Sequence, residues 1–363
     1  DNDTTKVRVP IPLPPGTGDP VRFSWKIPAD WQMVSLPLDM KDPNVGTMFA
    51  DPGLVMYQFN TTAGAYEPSL NLEFGRGYWV KSAGLEGILI GLNRYDFEWT
   101  GLNGIGQPFG YGWNMIGALS KILPVASIQQ TPAGSMKSIF GWNPASGYVV
   151  PTNIEPGKGY WVRVDPGAKL RMQTTPFTGG SSSTAYSKVV DKLDIAGMIT
   201  VSDEQGSRSL YITGTALESA ERDALMLPQL PPDNVLDART GEQSLYILEG
   251  TNTLRVRAAG TVTIAVPGDM PRASLELWST DGTLLATFTG LAGERLTLDV
   301  AGEKELLLKA TVRPIAGEDA LGVNYPNPFR VASETWIPYT LTRDTQVRDR
   351  KSTRLNSSHV ALS

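Results

Sequence analysis

The residue types that carry most protein chemistry at neutral pH are nearly missing from this chain. Among its 363 residues there is one histidine, His359, close to the end, and no cysteine. The body of the chain therefore has no imidazole base or imidazole metal ligand, no thiolate zinc site, no disulfide framework and no cysteine nucleophile. Ser-His-Asp catalysis is excluded with them. Carboxylates remain: Asp and Glu together number 37, and a pair of them is enough for glycoside hydrolysis without histidine. None stands in a recognisable acid–base setting. Asp223, Asp233 and Asp237 crowd one irregular segment and offer the oxygen ligands that calcium takes, but their spacing fits no standard calcium loop, and the plainer expectation is a solvated loop. The run GLNGIGQPFGYG, Gly101 to Gly112, lacks the G-x-G-x-x-G spacing of a phosphate cradle and is expected to be a loop. Asp1–Asn2–Asp3 is too short for a calcium loop. The expectation is a chain with no catalytic residues, no cofactor and no bound metal.

The side chains left with a capacity for recognition are aromatic, and they recur. A shift of 82 positions lays Trp31 on Trp113, Met33 on Met115, Val34 on Ile116 and Tyr66 on Tyr148 without a gap. It continues with Gly75 on Gly157, Gly77 on Gly159, Tyr78 on Tyr160, Trp79 on Trp161 and Val80 on Val162, and Arg76 on Lys158 keeps even the charge. Rings stack well on carbohydrate, so Tyr78, Trp79, Tyr160 and Trp161 are candidate glycan-contacting residues. Large aromatics also dominate the cores of small β domains, so core packing is the competing reading. Alternation along Gly-Tyr-Trp-Val sends Tyr and Trp to opposite faces of a strand, which leaves one ring of each pair expected outward.

The elements that must hold these rings are strands. Each copy opens with one (WQMVSLPL, GWNMIGAL) and closes with another (GYWVK, GYWVRV), rich in the aromatic and β-branched residues that suit a pleated surface. The Gly-x-Gly before each closing strand suits a tight turn with positive φ. NVGTMFAD and VASIQQ are expected as single helical turns, and Asn60 to Tyr66 and Asn143 to Tyr148 as hairpin tips. One copy has too little core to stand alone, so copies at about 25–85 and 107–167 are expected to form one pseudo-symmetric domain over 21–175. The repeat also resembles GWN…GYWV modules of exported bacterial proteins.

Flexible connections flank it. The prolines at 10, 12, 14 and 15 favour an extended linker over 1–20, and a Gly/Ser-rich linker is expected over 176–187. Residues 188–312 carry short strands at intervals of roughly 8–12 residues, joined by Gly turns, the pattern of an antiparallel sandwich. Its core is expected from Leu210, Ile212, Leu254, Val256, Val262, Ile264, Leu275, Leu277, Leu306 and Leu308. Inside it, the acidic, proline-rich segment before Leu236, Asp237, Ala238 and Arg239 resembles one that precedes F-D-A-R strands in exported proteins of gliding bacteria.

After a short linker at 313–322, the sequence NYPNPFRVASETWIPYTL closely resembles the opening of the C-terminal sorting domain of type IX secretion. That immunoglobulin-like module is similar to the one in flagellar hook-capping proteins. The matching residues are Tyr325, Pro326, Asn327, Pro328, Phe329, Thr335, Ile337, Tyr339 and Leu341, while Arg330 and Val331 stand where Asn-Pro is common. The resemblance spans only 323–347, so an incomplete Ig-like strand is expected there. Residues 349–359, DRKSTRLNSSH, resemble a translated sequencing adapter, and 348–363 are expected to be disordered. No signal peptide is visible at the start, and the chain reads as a fragment cut at both ends.

The net charge of −5, the sequence pI near 5.2 and the lack of a basic run make nucleic acid an unexpected partner, and no apolar run reaches the roughly 18–20 residues of a membrane span. The fold class expected is all-β: a pseudo-symmetric tandem-repeat domain, then an antiparallel β-sandwich, then the incomplete Ig-like strand. The function expected is that of a non-catalytic structural or adhesive module of an exported protein, located extracellularly or on the outer-membrane surface. Secretion machinery is its implied partner through the complete C-terminal domain, with polysaccharide or other surface proteins as candidates. The alternative is a carbohydrate-binding accessory region of a secreted hydrolase.

Overall fold

A computed structural model describes residues 18–49, 51, 53–100, 110–174, 184–233, 235–241 and 243–313, together with four two-residue strands beyond them. The chain is all-β, with three helices of four to six residues in the described part.

Copy one contains β1 (Val21–Ile27), β2 (Asp30–Ser35), β3 (Val55–Asn60), β4 (Ala65–Pro68), β5 (Gly77–Ser82) and β6 (Leu85–Gly91). After β7 (Asp96–Trp99), copy two contains β8 (Gly112–Ile116), β9 (Leu123–Pro124), β10 (Gln129–Thr131), β11 (Met136–Asn143), β12 (Gly147–Val149), β13 (Asn153–Ile154), β14 (Tyr160–Val164) and β15 (Lys169–Gln173). The sheet orders β2-β5-β3-β4 and β8-β14-β11-β12 are the same once equivalent strands are matched, and β1 pairs with β6 as β7 pairs with β15. The expected helical turns fall at α1 (Val45–Met48), whose cap Asn44 accepts from the Gly46 amide at 2.9 Å, and at the 3-10 turn Val125–Ser127.

The copies cross about a pseudo-two-fold axis. The Ser35 amide donates to the Gly157 carbonyl at 3.0 Å, and the equivalent Gly117 amide donates to the Gly75 carbonyl at 2.8 Å. This crossing is why the Gly-x-Gly motif recurs, and its two glycines serve different needs. Gly75 and Gly157 have φ of 83° and 85°, the left-handed region that glycine adopts without strain. Gly77 and Gly159 are needed for close approach, because a Cβ there would lie 2.7 Å from the Ile116 and Val34 carbonyl oxygens respectively.

The offset of 82 does not hold throughout. Trp79 faces Tyr57 across the sheet, whereas Trp161 faces Phe140, which is 83 residues from Tyr57. A one-residue slip in a strand reverses its faces, and here the slip is absorbed in the hairpin: Asn143–Gly147 is one residue shorter than Asn60–Ala65, so Tyr66 and Tyr148 are equivalent again.

The second unit is a five-on-five sandwich. One sheet runs Tyr246–Leu248, Ser207–Thr213, Ile195–Ser202, Thr261–Ala265, Arg295–Asp299, and the other Asp237–Thr240, Gly250–Ala258, Gly302–Val312, Ala273–Ser279, Leu284–Phe288. All ten core residues expected from alternation are buried in it. One pair departs from the antiparallel expectation: Ser207–Thr213 and Tyr246–Leu248 run parallel. Between them the chain crosses to the opposite sheet to form Asp237–Thr240 and returns, so the second strand re-enters in the same direction.

The segment expected as the 176–187 linker is structured where it is described. Thr184 caps α2 (Ala185–Val190), its hydroxyl accepting from the Ser187 amide at 3.2 Å, and Tyr186, Val189 and Val190 are buried. Residues 176–183, the proline-rich start up to residue 17, and 314–319 lie outside the described residues.

Candidate functional site

The four candidate glycan-contacting rings are closed to any ligand: Tyr78, Trp79, Tyr160 and Trp161 are 0%, 0%, 3% and 0% exposed. Alternation acts as expected, but both faces are covered. Tyr78 turns into the copy-one core with Trp25, Leu36 and Leu72, and Tyr160 into the copy-two core with Ile116 and Leu119. Their hydroxyls accept from the Glu73 and Glu155 amides at 2.7 and 2.8 Å. Burial pushes the Tyr78 pKa up to about 12 and moves Tyr160 in the same direction.

Trp79 and Trp161 turn the other way, into a core that both copies share with the sandwich. Each reaches across to the opposite copy's hairpin: Trp79 lies 5.1 Å edge-on from Trp142, and Trp161 lies 4.8 Å from Phe59. The same core is completed by Tyr186, Val189 and Val190 of α2, by Tyr211 and Tyr246, and by Leu217, Leu225 and Leu227. The last three belong to the irregular segment expected to be a solvated loop. The single helical turn expected within it is present as α3 (Ser219–Ala224), but the segment as a whole is the lid of the shared core.

Polar contacts lock this interface. The equivalent residues Tyr66 and Tyr148 both clamp the same turn, their hydroxyls donating to the carbonyls of Leu230 at 2.9 Å and Gln229 at 2.5 Å. Burial raises both tyrosine pKa values. Beneath the turn, Arg239 is 1% exposed. It is bidentate to Asp237 at 2.6 and 2.7 Å and donates to the Pro228 carbonyl at 2.8 Å. Burial works against its charge, but the charge of Asp237 and the hydrogen bonds to it outweigh that, and the net shift is upward. Arg208 donates to the carbonyls of Leu236 and, across the interface, Pro144, with its guanidinium over Trp142.

The three acids weighed for calcium are each engaged by a different cation. Asp223 pairs with Arg163 of β14, Asp233 with Lys81 of β5 at 3.3 Å, and Asp237 with Arg239. Among the described residues no cluster of three or more metal-ligating side chains forms. Two of these pairs tie the lid to the two closing strands of the repeat.

Of the sorting-domain residues, Tyr325, Pro326, Asn327, Pro328, Phe329, Thr335, Ile337 and Leu341 lie outside the described residues. Tyr339–Thr340 pairs with Ala320–Leu321, and in the tail expected to be disordered Val347–Arg348 pairs with His359–Val360. The residues that sequence reasoning passed over are Tyr66, Tyr148, Arg163, Arg208 and the Asp237–Arg239 pair. Two signals pointed to some of them. Tyr66 and Tyr148 repeat outside the Gly-Tyr-Trp-Val motif, and Asp-x-Arg places opposite charges on one face of a strand.

Hydroxyls clamped on carbonyls, buried guanidinium groups and interlocked rings make a joint between domains, with the named polar groups facing protein. The chain matches no known protein family, no curated protein and no solved structure. No helix of the described residues is long and apolar enough to cross a membrane.

Proposed function

We propose that this chain is a non-catalytic structural or adhesive segment of an exported surface or secreted protein. The observation that supports it is the shared core, in which the rings of both repeat copies are used to fasten the repeat domain to the sandwich. Two modules joined only by a linker would move independently, whereas a continuous apolar interface braced by the Tyr66 and Tyr148 hydroxyls and by the Arg163–Asp223 pair holds a fixed spacing. Fixed spacing is what a segment that presents another domain away from a cell surface requires. Export through a type IX-like route rests on the resemblance at Tyr325 to Leu341, and the secretion machinery is the partner it implies.

The alternative, a carbohydrate-binding accessory region using Tyr78, Trp79, Tyr160 and Trp161, loses its support with the burial of those rings. The test of the proposal is surface exposure in the parent organism. An epitope placed in the exposed Thr61–Gly64 turn of the full-length protein should be reached by protease on intact cells, and should become intracellular when Tyr325–Phe329 are replaced by alanine. An epitope protected in intact cells with the motif in place would refute export to the surface.

A further inference from the structure

The two copies use their hairpins differently. In copy two the tip is docked on the sandwich, where the Ala145 carbonyl accepts from the Ser207 amide at 2.8 Å and a Cβ on Gly206 would lie 2.6 Å from the Ala145 oxygen. In copy one the tip stays at the surface. Behind it, between the β3–β4 hairpin and the corner Gly110–Asn114, opens a cleft of about 450 Å³. That lies within the range of small-molecule sites, about 300–1,000 Å³. The corresponding space in copy two holds about 120 Å³.

The walls differ as much as the volumes. Where copy two carries Gly141 and Val149, copy one carries Gln58 and Glu67, paired across the hairpin. Arg76 donates to Gln58 Oε1 at 2.9 Å, and Asn60 Nδ2 donates to Glu67 Oε1 at 2.7 Å. Two amides, a carboxylate and a guanidinium thus form a ladder with donors and acceptors side by side. The opposite wall mounts a ring in water: Tyr111 is 68% exposed. The backbone on either side of it is held by the buried Asn114, which accepts from the Gly110 amide at 2.8 Å and donates to the carbonyls of Gly110 and Gly112 at 2.8 and 3.1 Å. An exposed aromatic carried on a backbone corner that a buried amide braces offers its ring face to the cleft rather than to the core.

We propose that this cleft binds a neutral saccharide unit, its ring face on Tyr111 and its hydroxyls on the Gln58–Asn60–Glu67–Arg76 ladder. Each sugar hydroxyl both donates and accepts, as a ladder of amide and carboxylate groups requires. Charge selects against acidic sugars, because Glu67 offsets Arg76 and Glu73, 3.7 Å from the guanidinium, tips the balance negative. The inference stands apart from the scaffold reading and can fail without it.

The test is isothermal titration of the full chain with neutral hexasaccharides of glucose, xylose, mannose and N-acetylglucosamine, and with oligogalacturonate as the acidic probe. Saturable binding to a neutral hexasaccharide is expected. Tyr111→Ala and Glu67→Gln should each weaken it about tenfold, the loss of roughly one good contact, with Tyr111→Phe retaining most of it and Asn143→Ala in copy two leaving it unchanged. Tyr111 is exposed, so its replacement leaves the fold intact, as a circular dichroism spectrum should confirm. Absence of binding to every neutral hexasaccharide at millimolar concentration, affinity unchanged by both weakening variants, or preference for oligogalacturonate would overturn the proposal.

Discussion

At the scale of single residues, the joint between the domains depends on polar groups whose partners are backbone carbonyls. Tyr148→Phe removes the hydroxyl donor to the Gln229 carbonyl and is expected to cost about 1 kcal/mol in denaturant unfolding, and Tyr66→Phe about 2 kcal/mol, because it removes the donor to Leu230 and also the acceptor of the buried Trp79 indole N–H at 3.1 Å. Asp237→Asn should cost more, about 3–5 kcal/mol, because the Arg239 charge would stay buried without its counter-ion. If that variant unfolds like the parent, Arg239 is not held as described. The buried tyrosines also set an alkaline limit. Their folded pKa values lie above the ordinary value of 10. Below pH 10 they are protonated in both states and their contribution is fully present. Above it the unfolded chain ionises first, so stability falls as pH rises, for Tyr78 between 10 and about 12. A denaturation midpoint that is flat from pH 9 to 12 in this chain would contradict the burial of these hydroxyls.

At the scale of elements, the crossing of the two copies depends on backbone proximity more than on turn geometry. Gly77→Ala and Gly159→Ala would each drive a Cβ to 2.7 Å from a carbonyl oxygen of the other copy. Each is expected to cost about 1–3 kcal/mol, the range for overpacking. Gly134 supplies the control: its φ is 78° and a Cβ there meets nothing within 4 Å. Gly134→Ala should therefore lose only the strain of a left-handed residue, about 1–2 kcal/mol, and should leave the crossing intact. Near-ultraviolet circular dichroism, which reports the packed tryptophans, separates the two cases: it should change for Gly77→Ala and Gly159→Ala and not for Gly134→Ala. The element most misjudged from sequence is the segment between Thr213 and Asp237. Its acids and prolines resemble a solvated loop, yet Leu217, Leu225 and Leu227 anchor it face down, and its acids point at cations on the strands below.

At the scale of the whole molecule, the repeat domain and the sandwich are expected to unfold in one cooperative transition, because their described residues share a core. Calorimetry resolving two separate transitions would show that the interface does not couple them. The repeat domain alone, residues 18–174, would uncover Trp79, Trp161 and their neighbours as one apolar patch, and should self-associate and bind a hydrophobic dye.

The sequence by itself determined the all-β class, the duplication and the inner face of the sandwich, since each is written in local spacing: a period of two along a strand, and a fixed offset between like residues. It also determined that Tyr78 and Trp79, like Tyr160 and Trp161, point to opposite faces. Only the tertiary structure decided what covers those faces. Trp79 and Trp161 are buried in one core with Tyr186, Tyr211, Leu225 and Tyr246, residues far along the chain whose approach no local pattern records. The same holds for the slip between β3 and β11, because the pairing partner and not the neighbouring residue fixes which side chain faces Trp79 and which faces Trp161.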